Sequence, residues 1–325
     1  MKWILLLFFT YCSSSELIHL KEIDSLKSEF KFKEGNFIVY NFFPKKRTKK
    51  PIVIIYDPIY VQKESLFGAE NLVPQKLEFI EKRILIKNFK ENSNSSLVQS
   101  FLEAGYTVAL IFTKEDITLN KAGIGILSTL YEIQKVKKEE EFILGGVSLG
   151  GQAVAHALNQ YKDNSEIKIK GIFFIGTGLD YNYTNSLREK MSSKKLKQVI
   201  CNPLEQENLC NKTLTSMYKT NDGVISYPKI IPQIEMEPLK NFSKLSTTDI
   251  PIFIAYGKLD GVSPEESALT LFYPERVPKK KKLEVLEAST ANYFDEDYDH
   301  FDLFYGRKAK KEIYLPIIEW LEKTN

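Results

Sequence analysis

One stretch constrains this chain more than any other: Glu141–Tyr161, EFILGGVSLGGQAVAHALNQY. A short apolar run, Phe142–Leu144, meets a glycine pair, then Ser148, a second glycine pair and a helix-forming segment. Gly146-Val147-Ser148-Leu149-Gly150 is thus a G-x-S-x-G set at the handover from a strand pattern to a helix pattern. A serine on so sharp a turn sits in a strained backbone conformation, and side chains beside it would collide with the neighbouring strand and helix. Glycine removes those collisions. The helix that follows also aims free N–H groups and the positive end of its dipole at the serine.

The flanking sequence continues the rhythm. Phe30–Phe32 and Phe37–Phe43 read as strands around the turn Glu34-Gly35-Asn36. Pro51–Tyr56 (PIVIIY) and Tyr106–Phe112 (YTVALIF) are continuous β-branched runs of the kind buried on both faces of a sheet. Lys170–Ile175, Pro251–Tyr256 and Leu283–Leu286 repeat the pattern. Helices are expected over Ser96–Ala104, Ile124–Val136, Ser263–Tyr273 and Lys310–Glu322, with Pro316 starting or kinking the second half of the last. Such alternation predicts an α/β fold with a mostly parallel sheet covered on both faces. Between Gly176 and Thr248 the alternation lapses, and a structureless loop of that length is improbable in a compact domain. Residues 176–248 are therefore expected to form an inserted cap, within a core made of residues 29–175 and 249–325.

The N-terminus carries a different signal. Lys2 precedes the apolar run Trp3–Phe9, then Thr10-Tyr11-Cys12 and Ser13-Ser14-Ser15. The run is too short to span a bilayer but suits the core of an export signal. A cysteine directly after it, followed by serines, resembles a bacterial lipoprotein signal, although the small residue usual before the cysteine is missing. That resemblance implies removal of residues 1–11, lipidation of Cys12, a tether and N-terminal segment over residues 12–28 and attachment at a bacterial envelope; a secreted or periplasmic protein is the alternative. In an exported protein, Cys201 and Cys210 are expected to close a small disulfide loop. The chain holds three cysteines and three histidines in 325 residues, with no metal-ligand spacing among them. No metal site or cofactor is expected. A formal net charge of +3 gives no reason to expect nucleic acid, and the lysine runs Lys45–Lys50 and Lys279–Lys282 suit solvated turns.

If Ser148 is a nucleophile it needs a base, and the base a carboxylate to orient it. Both belong on loops at the C-terminal ends of later strands. Asp260 follows PIFIAY among turn residues, where it could equally be a capping aspartate. Of the histidines, His19 lies near the signal and His156 on the helix after Ser148; His300 is in a loop beyond the last strand. The chain order Ser148, Asp260, His300 is the serine–acid–histidine order of one large fold family.

With GGVSLGG (145–151), GKLDGVSP (257–264) and DHFDLFYG (299–306), the chain from about Phe30 onward resembles the lipase-like and carboxylesterase-like members of the α/β-hydrolase superfamily. The resemblance implies an eight-stranded sheet, Ser148 as nucleophile, His300 as base and Asp260 as its orienter. It also implies an oxyanion hole built from the N–H of Leu149 and of Ile59 or Asp57. Where the family often has His-Gly this chain has Asp57-Pro58, and proline has no N–H to give. Serine in place of aspartate argues against dehalogenase or epoxide hydrolase chemistry. Tyr181, Tyr183 and Tyr218 of the cap either line a substrate pocket or pack the cap onto the sheet. The implied activity is cleavage of a lipid or other acyl ester. A peptidase, an acyltransferase or a silent binding protein on the same scaffold are its rivals. Oligomeric state is open.

Overall fold

The computed structural model describes residues 24–33, 35–44, 46, 48–56, 97–113, 118–136, 140–162, 166–179, 242–272, 283–300, 302–306 and 308–324. Its centre is a set of strands with no polar face: β3 (Ile52–Tyr56), β5 (Glu141–Val147), β6 (Lys168–Ile175) and β7 (Ile252–Gly257). Because side chains alternate along a strand, an unbroken apolar run must be covered on both sides. Val53, Ile55, Ile143, Phe173 and Phe253 enter one core, and Ile52, Ile54, Leu144, Ile172 and Ile254 the other.

The sheet has eight strands in the order β1-β2-β4-β3-β5-β6-β7-β8, with β1 spanning Asp24–Phe32, β2 Gly35–Phe43, β4 Val108–Thr113 and β8 Leu283–Ala288. The β1–β2 and β2–β4 pairs are antiparallel and all others parallel. Helix α1 (Leu97–Glu103) and the C-terminal helix α7 (Leu315–Thr324) supply side chains to the first core. On the other face lie α2 (Leu119–Val136), α3 (Leu149–Gln160), α4 (Ser243–Thr247) and α5 (Glu265–Leu269).

Three elements depart from the sequence expectation. The first strand starts at Asp24, not near Phe30, and pairs Asp24 with Phe43. Its Lys27, Glu29 and Lys31 hid it, because an edge strand tolerates charge where a central one does not. The helix expected over Ser263–Tyr273 is a short α5 that tightens into a 3₁₀ turn, Thr270–Phe272. The closing helix opens with a π turn, Lys310–Tyr314, in which the Leu315 N–H donates to Lys310 O. Pro316 follows at the second position of α7 and, having no N–H, cannot donate to the helix where the π turn passes into the α-helix. Of the expected cap, residues 180–241 lie outside the described residues. Its two ends do not: Gly176–Leu179 leave β6, and α4 returns to α3, the Lys244 N–H donating to Asn159 Oδ1 at 3.1 Å. Among the described residues, no helix is long and apolar enough to cross a membrane.

Helices α2 and α3 approach closely because Gly123 lies at their crossing. A Cβ there would stand 2.6 Å from the Ala157 backbone nitrogen and from His156 Cβ. Backbone cannot yield as a side-chain end can, so Gly123→Ala is expected to push the helices apart and destabilise the protein by about 1–3 kcal/mol. Urea unfolding measures this; an unchanged midpoint would show the crossing to be loose.

Candidate active site

Strand β5 ends at Val147, and the chain turns at Ser148 with φ 48° and ψ −128° before α3 begins at Leu149. Several contacts hold this turn. The Ser148 N–H donates to Ile175 O at 2.9 Å, and the Gly151 N–H donates to Ser148 O at 3.0 Å. The Thr177 hydroxyl donates to the same Ser148 carbonyl at 3.0 Å, and Gln152 Nε2 donates to Gly178 O at 2.9 Å. The crowding falls on Gly146 and Gly151: a Cβ on Gly146 would lie 2.5 Å from Gly151 Cα, and one on Gly151 would lie 2.1 Å from Thr177 Oγ1.

Asp260 leaves the end of β7 in a turn closed by its own N–H on Gly257 O at 3.1 Å. Its carboxylate is buried and accepts hydrogen bonds on both oxygens. Oδ1 accepts the N–H groups of Val262 and Ser263, each at 2.8 Å, and Oδ2 lies 2.8 Å from His300 Nδ1. His300 Nε2 is 2.9 Å from Ser148 Oγ. A carboxylate only accepts, so Nδ1 is the donor, which leaves Nε2 to accept the serine proton. His300 is 6% exposed and edge-on to Phe304, with ring centroids 5.3 Å apart.

Residues that the sequence did not single out hold this arrangement in place. Ser263 Oγ donates to Gly176 O at 2.7 Å, tying the acid loop to the end of β6. Gly176 has φ 55°, and a Cβ there would come within 3.2 Å of His300 Cε1. Gly257 lets the β7 loop meet the histidine loop, since a Cβ on it would stand 2.3 Å from Tyr298 O. Tyr298 is buried and gives its hydroxyl to Glu312, which together with burial raises its pKa well above the ordinary phenol value. The partners of Ser263 and Thr177 are carbonyls distant in sequence, which no local pattern signals.

Ser148, His300 and Asp260 are thus brought together in one chain of hydrogen bonds. His156 is not part of it: buried on α3, it packs edge-on against Phe242 at 5.0 Å between centroids. The Leu149 N–H, first in α3, points from a helix N-terminus without an intrahelical acceptor. Cys12, His19, Asp57, Ile59, Tyr181, Tyr183, Cys201, Cys210 and Tyr218 lie outside the described residues. Among those described, no cluster of His, Cys, Asp or Glu is placed to hold a metal ion.

No protein-family model matches the chain, and no curated protein matches it in sequence. Solved structures match its fold. A hypothetical protein from Pseudomonas aeruginosa is similar with TM-score 0.58 at 13% identity, over 94% of this chain and 95% of its own. A lipase candidate from Acinetobacter baumannii is similar with TM-score 0.53 at 14% identity, over 93% of each chain. An acylaminoacyl peptidase from Pyrococcus horikoshii is similar with TM-score 0.53 at 12% identity, over 94% of this chain but 42% of its own. At these identities the likeness shows a shared fold.

The packing around the turn yields a test. In Gly151→Ala the new methyl displaces Thr177 from the Ser148 carbonyl, and a loss of about 1–3 kcal/mol in stability is expected from overpacking. Thermal unfolding should register it; a variant as stable as wild type would mean that the turn absorbs the methyl without moving Thr177.

Proposed function

We propose that this chain, which has the α/β-hydrolase fold, is a serine hydrolase that cleaves carboxylic esters through an acyl-enzyme. The observation that carries the reading is the unbroken hydrogen-bonded line from Ser148 Oγ through His300 to Asp260, anchored on the strained turn at Ser148. His300 Nε2 takes the proton from Ser148 Oγ as the oxygen attacks the acyl carbonyl. The imidazolium that forms is stabilised by Asp260 through Nδ1. Its proton then passes to the leaving alcohol, and a water activated in the same way by His300 releases the acid. Charge on the carbonyl oxygen falls at the N-terminus of α3, where the Leu149 N–H and the helix dipole favour it. Ile59 or Asp57 would give the second donor.

The substrate is an acyl ester, lipid or smaller, admitted beneath a cap formed by residues 176–248 to which Tyr181, Tyr183 and Tyr218 belong. Export through residues 1–11 and lipidation of Cys12 would hold the protein at a bacterial envelope, with a Cys201–Cys210 disulfide suited to that compartment. Cleavage of amides is the second reading, favoured by the fold likeness to an acylaminoacyl peptidase.

Fluorophosphonate is expected to label wild-type protein at Ser148, located by peptide mass mapping, and to leave Ser148→Ala unlabelled; a folded wild type that never labels would refute the assignment. Asp260→Asn should hold His300 in the wrong tautomer and lower ester turnover on the order of 10⁴-fold. Matched ester and anilide substrates separate the two readings, since preference for the anilide would replace esterase with peptidase. Detergent-phase partitioning that Cys12→Ala abolishes would support the anchor, and partitioning that survives the substitution would remove it.

A further inference from the structure

Ser148 O and the Leu149 N–H are the two ends of one peptide group, and the carbonyl end carries two donors. It accepts the Gly151 N–H at 3.0 Å and the Thr177 hydroxyl at 3.0 Å. Those bonds use both lone pairs of the oxygen. The nitrogen end is the opposite case. Leu149 opens α3, so its N–H has no acceptor within the helix, and it is the donor that the reaction above assigns to the developing oxyanion.

Thr177 is 1% exposed, and three carbonyl oxygens surround its Oγ1: Ser148 O at 3.0 Å, Gly146 O at 3.4 Å and Ile175 O at 3.5 Å. A hydroxyl has a single proton to give. Ile175 O already accepts the Ser148 N–H at 2.9 Å, and the proton goes to the nearest oxygen, that of Ser148. Neighbours on each side of Thr177 aim its side chain. The Gly176 N–H donates to Ala255 O, Gly178 O accepts Gln152 Nε2, and the Leu179 N–H donates to Ser267 O, each at 2.9 Å. A Cβ on Gly176 would stand 3.0 Å from Phe304 Cζ, which places this segment directly against the short helix α6 (Asp302–Tyr305). Gly151 closes the other side, since a Cβ there would lie 2.1 Å from Thr177 Oγ1.

We propose that Thr177 is a positioning residue for the oxyanion: its hydroxyl polarises the Ser148–Leu149 peptide and fixes the plane in which the Leu149 N–H is presented. A peptide group is conjugated and planar, so a hydrogen bond on its oxygen favours the resonance form with positive charge on nitrogen. Its N–H then becomes the stronger donor, as each bond in such a chain polarises the next. That gain counts most when the acyl oxygen carries full charge in the tetrahedral intermediate, and less when bound substrate still presents a neutral carbonyl. No proton leaves Thr177 in the reaction. Its whole effect passes through the peptide.

The effect on rate rests on the serine-hydrolase reading; the effect on the peptide does not, and the test reads both. Thr177→Val keeps the branched shape and removes the donor, whereas Thr177→Ser keeps the donor and removes a methyl. With an activated ester, Thr177→Val is expected to lower kcat and kcat/KM together by about tenfold, leaving KM within about twofold of wild type. Thr177→Ser should restore kcat to within about twofold of wild type, because the hydroxyl and not the methyl supplies the polarisation. In the amide NMR spectrum of the full protein, the Leu149 nitrogen resonance should move upfield in Thr177→Val and keep its place in Thr177→Ser. Equal loss of kcat in the two variants would reduce the contact to packing and overturn the proposal. So would an unmoved Leu149 resonance, or a Thr177→Val that raises KM without lowering kcat. If Thr177→Val does not fold, Thr177→Cys decides: a thiol is the weaker donor, so this variant should turn over at least about threefold more slowly than Thr177→Ser, and equal rates would overturn the proposal. A protein with the expected Leu149 shift but no ester turnover in wild type would refute the hydrolase reading and leave the polarised peptide standing.

Discussion

Ser148 is held in a backbone conformation that costs a residue other than glycine about 1–3 kcal/mol, and the arrangement of Ser148, His300 and Asp260 at this edge of the sheet depends on that strain being maintained. The turn persists because its polar groups are used. Its N–H is spent on Ile175 O, its carbonyl receives both the Gly151 N–H and the Thr177 hydroxyl, and glycines occupy the positions where a methyl would not fit. The result is a hydroxyl lifted clear of the strand end, at the mouth of a helix dipole. Neither a relaxed turn nor a mid-helix serine could present it there.

The rest of the edge is assembled by the same means. Strands β6, β7 and β8 end side by side, and the loops that leave them are stitched to one another as well as to their own strands. Ser263 reaches Gly176 O, the Leu259 N–H reaches Tyr298 O, and the Gly176 N–H reaches Ala255 O. Asp260 is held in orientation by two amides on one oxygen and an imidazole on the other. The positions of all three side chains are therefore properties of the sheet register, transmitted through short loops. The same logic extends past His300, where Asp299 and Asp302 each accept the other's backbone N–H.

Much of this was legible in the sequence for a simple reason. The central strands are apolar on both faces, so their limits are visible as runs, and chemistry-bearing residues just beyond those limits fall on one edge. Ser148, Asp260 and His300 could be chosen that way. What the sequence concealed is what depends on burial or on distant backbone. The Asp24–Ser28 portion of β1 looks like a polar tether because an edge strand carries Lys27 among its paired residues. Ser263 and Thr177 look like ordinary loop residues until their carbonyl partners are brought to them.

The central claim is that Ser148 forms an acyl-enzyme with His300 as its base. Its most direct test is intact-mass measurement of the protein quenched in acid seconds after mixing with an activated short-chain ester. The account predicts an increment of one acyl group, mapped to Ser148 in wild type and absent from His300→Ala. A folded wild type that hydrolyses the ester with no acyl adduct, or one that acylates equally without His300, would contradict it.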